Sequence, residues 1–420
     1  MEGNAMTDTT AGVAVRVTGL GGLMAGFFGV QLFVNIANGA VANSLIPNVI
    51  ANLEPDDKVA ILGVTGAVAA VGAVVTQPLW GLLSDRTRSR WGRRVPWILG
   101  GVVGLALTFF GLSTATTVVA VVVLAALVQI FYSMVAGPLS AVVPDRTPVA
   151  RRGAFSALGS LGIFVGGLVG VVIASQFVSA IPVGFAVMGV VVLIGAIPFA
   201  FPLRDRESDE AAPVRERVSW AQTLRSFVVD PREHPDFFWA FVARLVLMVG
   251  YWSIISFQLY ILDDYIGLGL EGANALYPVT TAVLALGIIV ALVPSGVLSD
   301  RIGRRKPFVI ASSIVVAVSA VVPIVSPTVT GAIVSVGIGG IGIGVYLAVD
   351  QALMTQVLPS SSDAGKDLGV LNIAQAGGQV VAPLVASVVI GIAGYPALYG
   401  FAAVLAVLAA LAILPIRSVR

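Results

Sequence analysis

Gly81-Leu-Leu-Ser-Asp85-Arg86-Thr-Arg-Ser-Arg-Trp-Gly92-Arg93-Arg94-Val-Pro96 has a second copy in this chain, Gly296-Val-Leu-Ser-Asp300-Arg301-Ile-Gly303-Arg304-Arg305-Lys-Pro307. With one four-residue gap the two align as G-x-L-S-D-R…G-R-R-x-P. Short basic loops are common beside membranes. A match of this length, at the same place in each half, points instead to internal duplication. Pseudo-symmetric halves are the sequence mark of many transporter folds.

Each copy follows a long apolar run, and the composition explains why. Of the 420 residues, 57% are hydrophobic and 11% charged, with a mean hydropathy of +0.98. A soluble chain carries about 25% charged residues. A core alone cannot hide this much apolar side chain, so lipid must solvate much of the surface. A membrane span needs about 20 mostly apolar residues. Twelve such runs are present: 20–46, 59–83, 95–115, 117–140, 154–178, 181–202, 237–262, 275–299, 307–327, 329–353, 367–392 and 394–416. Four of the separations rest on short Ser/Thr/Pro or Gly-rich breaks, such as Ser113 to Thr116 and Ser326 to Thr328. The expected fold is an all-α membrane protein with twelve transmembrane helices in two pseudo-symmetric six-helix bundles. The one long polar stretch, 203–236, divides the spans six and six. It is read as a linker between a first bundle, 1–202, and a second, 237–420. Met1 to Val17 lacks the basic start and cleavage site of a signal peptide, so the first run is expected to stay as a span.

The basic residues test this span count. Of the 24 Lys and Arg, all but Lys58 and Arg244 fall on one side. The other side carries Glu54, Asp56, Asp57, Asp263, Asp264 and Glu271. Cytoplasmic loops hold Lys and Arg preferentially. The chain is therefore expected in the cell membrane with both termini cytoplasmic, and the segregated charge speaks for orientation rather than nucleic-acid binding. Cysteine is absent and His234 is the single histidine. Disulfides, thiolate metal sites and a cysteine nucleophile are thereby excluded. No metal, no cofactor and no enzymatic chemistry are expected.

The duplicated loop has readable chemistry. Gly92 and Gly303 suit the turn that a short connection between antiparallel spans needs. The arginines suit an anionic inner leaflet. Asp85 and Asp300 stand where spans meet the loop, and a carboxylate there can bond a helix N-terminus or an arginine. Such bonds serve either as a static staple or as a gate that breaks between conformations. The candidate gate set is Asp85, Arg86, Arg93, Arg94, Asp145, Arg152, Asp300, Arg301, Arg304 and Arg305.

At these residues the chain resembles the major facilitator superfamily, whose characteristic loop follows spans two and eight. The longer first copy, S-D-R-T-R-S-R-W-G-R-R-V-P, is similar to the glycoside–pentoside–hexuronide:cation symporters and the related sucrose/proton symporters. Gly29 to Gln31 through Ser44 to Pro47 looks like their first span. Gly137 to Asp145, followed by Arg151-Arg152-Gly153, looks like their loop after span four. Asp350 to Leu353, Val357 to Pro359 and Gly365 to Asn372 look like the matching region of the second half. The resemblance implies a central cavity between two rocking bundles and a sugar or glycoside as cargo. The match has departures. Residues 59–80 hold no acid, where melibiose-type members place cation ligands. Span five lacks the Gly-Pro motif of the drug/proton antiporters.

Polar residues inside spans mark cavities or pathways, because burying them in lipid is costly. Arg244 and Asp350 both fall in the cytoplasmic half of their spans, in the same bundle. We read them as a pair, or as a proton site formed when the pair opens. Burial and a nearby arginine act on a carboxyl's protonation in opposite senses, so movement can toggle it. Snorkelling of Arg244 or a static structural pair are the alternatives. Gln31, Asn35 and Asn38 share one face of span one, and Asn372, Gln375 and Gln379 one face of span eleven. An amide both donates and accepts, which suits hydroxyl-rich solutes, and equally suits interhelical bonding. Tyr132, Tyr251, Tyr346 and Gln258 complete the substrate-binding candidates. The resulting reading is a monomeric secondary transporter for a small polar solute, driven by protons. The alternative is a proton-coupled exporter of drugs or other amphipaths, which predicts an apolar, aromatic-lined cavity instead of amide stripes.

Overall fold

Inside hydrocarbon there is no water to bond the backbone, so a spanning segment must close its own hydrogen bonds, as a helix does. The computed structural model describes residues 20–148, 151–204, 234–356 and 364–416, and the long apolar runs among them are helical. In chain order these are α1 (Leu20–Leu53), α2 (Lys58–Arg86), α3 (Val95–Ser113), α4 (Val118–Arg146), α5 (Arg152–Ser175) and α6 (Ile181–Ala200). The second half holds α7 (Pro235–Ser256), α8 (Gly269–Ile302), α9 (Lys306–Val325) and α10 (Val329–Gln356). The expected linker falls largely in 205–233, outside the described residues.

The last helical stretch, Ala364–Ile413, is broken at Gly394, whose φ of 76° and ψ of −178° no other residue type adopts comfortably. Contacts on either side show that the chain reverses there. Gly378 packs on Met248, and Gly250 packs on Ala402, so both arms lie beside the middle of α7. Tyr395 reaches Asp264 at one end, while the carbonyls of Leu414 and Ile416 meet Lys306 at the other. We call the arms α11 and α12, which makes twelve spans.

Several ends differ from the sequence expectation. α1 runs to Leu53 rather than to 46, through a π-helical turn at Val41–Leu45. α8 starts at Gly269 rather than at 275. In both cases the helix continues past the apolar run because the polar residues there find partners: Asn48 and Asn274 bond each other. α7 stops at Ser256 rather than 262. Phe257 leaves helical geometry, and a short turn, Gln258–Tyr260, leads into a second π-helical turn, Ile261–Tyr265.

The duplicated loop builds the same joint twice. Gly92 (φ 85°) and Gly303 (φ 67°) take left-handed backbone, which glycine permits without a Cβ clash. The closing proline of each copy lies in the first turn of α3 or α9, where its missing N–H costs no helical bond. Packing repeats as well. α1 packs on α5 and α6, α2 on α4, and α3 on α4 and α6. α7 packs on the α11–α12 pair, α8 on α10, and α9 on α10 and α12. Contact between α1 and α5 is close enough that a Cβ on Gly166 would lie 2.6 Å from the Leu32 carbonyl oxygen. Small residues allow such approach where lipid gives helices no hydrophobic reason to associate.

The bundles meet through α2 against α11 and α5 against α8. We call the end that carries the duplicated loops the basic end and the opposite one the acidic end. Side-chain hydrogen bonds and an ion-pair cluster join the bundles toward the acidic end. Asn48 and Asn274 exchange amide bonds of 2.8 and 2.7 Å, the Tyr260 hydroxyl donates to the Pro47 carbonyl, and Lys58 holds Asp263 and Asp264.

Candidate functional site

In the second bundle, α7 and α10 bring Arg244 and Asp350 together. Nη1 of Arg244 lies 3.3 Å from Oδ2 of Asp350, and each side chain is 2% exposed. Tyr346, one turn earlier on α10, shares a side-chain hydrogen bond with Asp350. Leu247, Met248, Val349 and Leu353 are buried around them. A lone charge here would be strongly penalised, and pairing removes most of that cost. No other charged side chain lies this deep in a span among the described residues.

In the first bundle, α1 and α4 assemble an amide and hydroxyl cluster. Nδ2 of Asn35 donates to the Gln31 carbonyl at 2.7 Å and to its Oε1 at 3.4 Å. The Tyr132 hydroxyl donates to Asn35 Oδ1 at 3.1 Å. Asn38, one turn further along α1, and Gln258, beyond the end of α7, each bury a side-chain oxygen that has no donor among the described residues. Each stands three residues before a π-helical turn, Asn38 within the first helix of its half and Gln258 just past the first helix of the other. Tyr251 is half-buried edge-on against Trp252, and Gln379 is exposed. The side chains of Asn372 and Gln375 lie outside the described residues. The structure therefore joins Gln31, Asn35 and Tyr132 in one bundle and Arg244, Tyr346 and Asp350 in the other.

The first basic loop is tied into its own bundle. Arg94, 8% exposed, contacts Asp85 at 2.6 Å, Asp145 at 2.8 Å and the Ser84 hydroxyl at 2.5 Å. Arg93 reaches Asp145 at 3.5 Å. All of these partners belong to the first bundle. Arg86, Arg301 and Arg304 are exposed, and Arg305 is half-buried and engaged. The side chains of Arg152 and Asp300 lie outside the described residues.

The seam at the acidic end was not among the sequence candidates. Lys58 bonds Asp263 and Asp264 at 2.7 Å each, with its ammonium 5.1 Å from the centre of the Tyr260 ring. Tyr395 donates to Asp264 at 2.6 Å. One signal was available. Lys58 is the lone cation on an otherwise acidic face, and such a residue needs acids to answer it.

A family model described as the Major Facilitator Superfamily matches residues 27–288 and 275–420. The chain belongs to the major facilitator superfamily. It is a multi-pass membrane transporter and not an enzyme. Its helices superpose on those of a point mutant of the nucleoside transporter NupG with a TM-score of 0.72, at 14% identity, covering 94% of this chain and 99% of that one. A bacterial homologue of the human lysosomal transporter Spinster, in an inward-facing and occupied conformation, gives 0.69 at 17% identity over 94% and 95%. Both likenesses concern the superfamily fold. In sequence, the chain is 53% identical over 47 residues to an uncharacterized symporter of Synechocystis sp., 10% of this chain and 9% of that protein. It is 33% identical over 124 residues to a lactose permease of Lactobacillus delbrueckii subsp. bulgaricus, 26% of this chain and 20% of that protein. The matches thus span a fifth or less of either relative.

Proposed function

We propose that this superfamily member is a proton-coupled secondary transporter of a small, neutral, hydroxyl-rich solute, a sugar or glycoside, of the glycoside–pentoside–hexuronide type. The observation that carries the reading is the deeply buried Arg244–Asp350 pair facing away from lipid, together with a charge-free amide and hydroxyl cluster in the other bundle. Deep charges that cancel each other, as these two do among the described residues, suit uncharged cargo, and a carboxyl that can lose its arginine suits a proton carrier. The short stretches similar to a symporter and to a lactose permease support symport and a sugar as cargo.

In this account, residues 1–202 and 237–420 move as two bundles about the cargo, joined by the 203–236 linker. The basic end faces the cytoplasm and both termini lie there, because Lys and Arg are held on that side of cell membranes. Inter-bundle bonds at the acidic end suit a state closed on the outside. Gln31, Asn35, Asn38 and Tyr132 take the cargo hydroxyls from one side, with Tyr251, Gln258, Tyr346, Asn372, Gln375 and Gln379 opposite. Arg93, Arg94, Asp85 and Asp145 release or re-form as the inner end closes. The test is uptake into proteoliposomes under an imposed proton gradient, comparing wild type with Asn35→Ala. Raised KM for a transported sugar with unchanged folding supports the site. Unchanged KM removes Asn35 from it.

A further inference from the structure

The two copies of the duplicated loop are used differently. In the first, Arg93 and Arg94 are neutralised by Asp145 at the end of α4, and Arg94 also by Asp85. Val143-Pro144-Asp145 has its counterpart in Leu358-Pro359-Ser360, so the acid that answers the first loop is a serine in the second half. Among the described residues no acid pairs with Arg304, which is exposed. Lys306 places its ammonium on the carbonyls of Leu414 and Ile416, at 2.6 and 3.0 Å. An ammonium has three donors, so one N–H and the whole positive charge remain.

Directly beside these two cations runs an open groove of about 540 Å³, lined by Arg304, Lys306, Pro307, Ile310, Ala311 and Ile314. Pro307, Ile310, Ala311 and Ile314 are spaced three, four and seven apart, which is one face of α9. Ile314 is 49% exposed. The groove is cationic at the basic end and apolar for two turns toward the bilayer centre. That is the shape and polarity of one phospholipid: a phosphate, then an acyl chain.

We propose that this groove is a binding site for an anionic phospholipid, its headgroup phosphate held by Arg304 and Lys306 and an acyl chain laid along Pro307, Ala311 and Ile314. A free phosphate would use the two cations and leave the apolar wall bare. A zwitterionic lipid would fit the wall and gain less from the two cations. Basic pockets at helix ends next to an anionic leaflet bind lipid headgroups in this way, each Lys or Arg contributing about fivefold in affinity.

The test uses the purified full chain, counting retained lipid by native mass spectrometry with dioleoylphosphatidylglycerol or dioleoylphosphatidylcholine as probe. Phosphatidylglycerol is expected to be retained selectively over phosphatidylcholine. Arg304→Gln should reduce that retention by about fivefold, while Arg88→Gln, an equal charge loss on the first loop, should leave it unchanged. Lys306 also caps α12, so Ala311→Trp supplies the second variant: it fills the groove, keeps both cations, and should abolish retention without lowering the melting temperature. Equal retention of the two lipids, equal effects of Arg304→Gln and Arg88→Gln, or competition by inorganic phosphate at the same concentration as the lipid would each overturn the proposal. So would retention that survives Ala311→Trp.

Discussion

Asp350→Asn removes one charge from a pair that water does not reach. At 3.3 Å and an effective dielectric near 20, the attraction between unit charges is about 5 kcal/mol. The variant keeps the shape of the side chain and leaves Arg244 charged in a buried setting. Breaking a buried pair from one side costs about 3–5 kcal/mol, because the remaining charge loses its counter-ion. Arg244→Gln combined with Asp350→Asn removes both charges and should recover most of the loss. A double-mutant cycle on unfolding of the purified protein reads this directly, as a coupling energy of roughly 3 kcal/mol. Transport supplies the functional half. Asp350→Asn should lose accumulation driven by a proton gradient while retaining exchange of internal for external solute. Stability losses that simply add in the double variant would refute the energetic reasoning, and full proton-driven accumulation by Asp350→Asn would refute the coupling role.

Three further outcomes follow from the geometry. Asn48→Ala leaves the Asn274 amide buried without its cross-bundle partner, a penalty of about 1–3 kcal/mol on the state closed at the acidic end. The population should shift toward the opposite state, seen as faster labelling of Thr65→Cys, which is buried in this one; the chain has no other cysteine to confuse the signal. Gly66→Val should act the same way by sterics, since even a first Cβ there would stand 2.7 Å from Pro383 of the other bundle; unchanged labelling would contradict the closed seam. Gly394→Ala forces a side chain onto backbone that glycine alone tolerates, so it should cost about 1–3 kcal/mol and lower the melting temperature.

Much of the architecture was legible because lipid enforces simple rules. Twenty apolar residues make a span, and the Lys and Arg count exposes any wrong turn in the tally. The loop copies even carried their own joints, Gly92 with Pro96 and Gly303 with Pro307. Helix ends were read less well. α1 and α8 extend through Asn48 and Asn274, whose helical burial depends on a partner 226 residues away. Hydropathy cannot see such a bond. For the same reason the Lys58 seam with Asp263 and Asp264 was visible only as an oddity of charge. The Gln31–Asn35 half of the amide cluster was readable as helical spacing, whereas its closure by Tyr132 required the packing of α4 on α1.

The most direct test of the central claim is solute accumulation by the purified protein in proteoliposomes. A panel of neutral sugars and glycosides would be offered with and without an imposed proton gradient. The account predicts that at least one is accumulated against its gradient, and that collapsing the proton gradient abolishes this. No uptake and no exchange of any sugar, with proton-driven extrusion of an amphipathic dye instead, would contradict it.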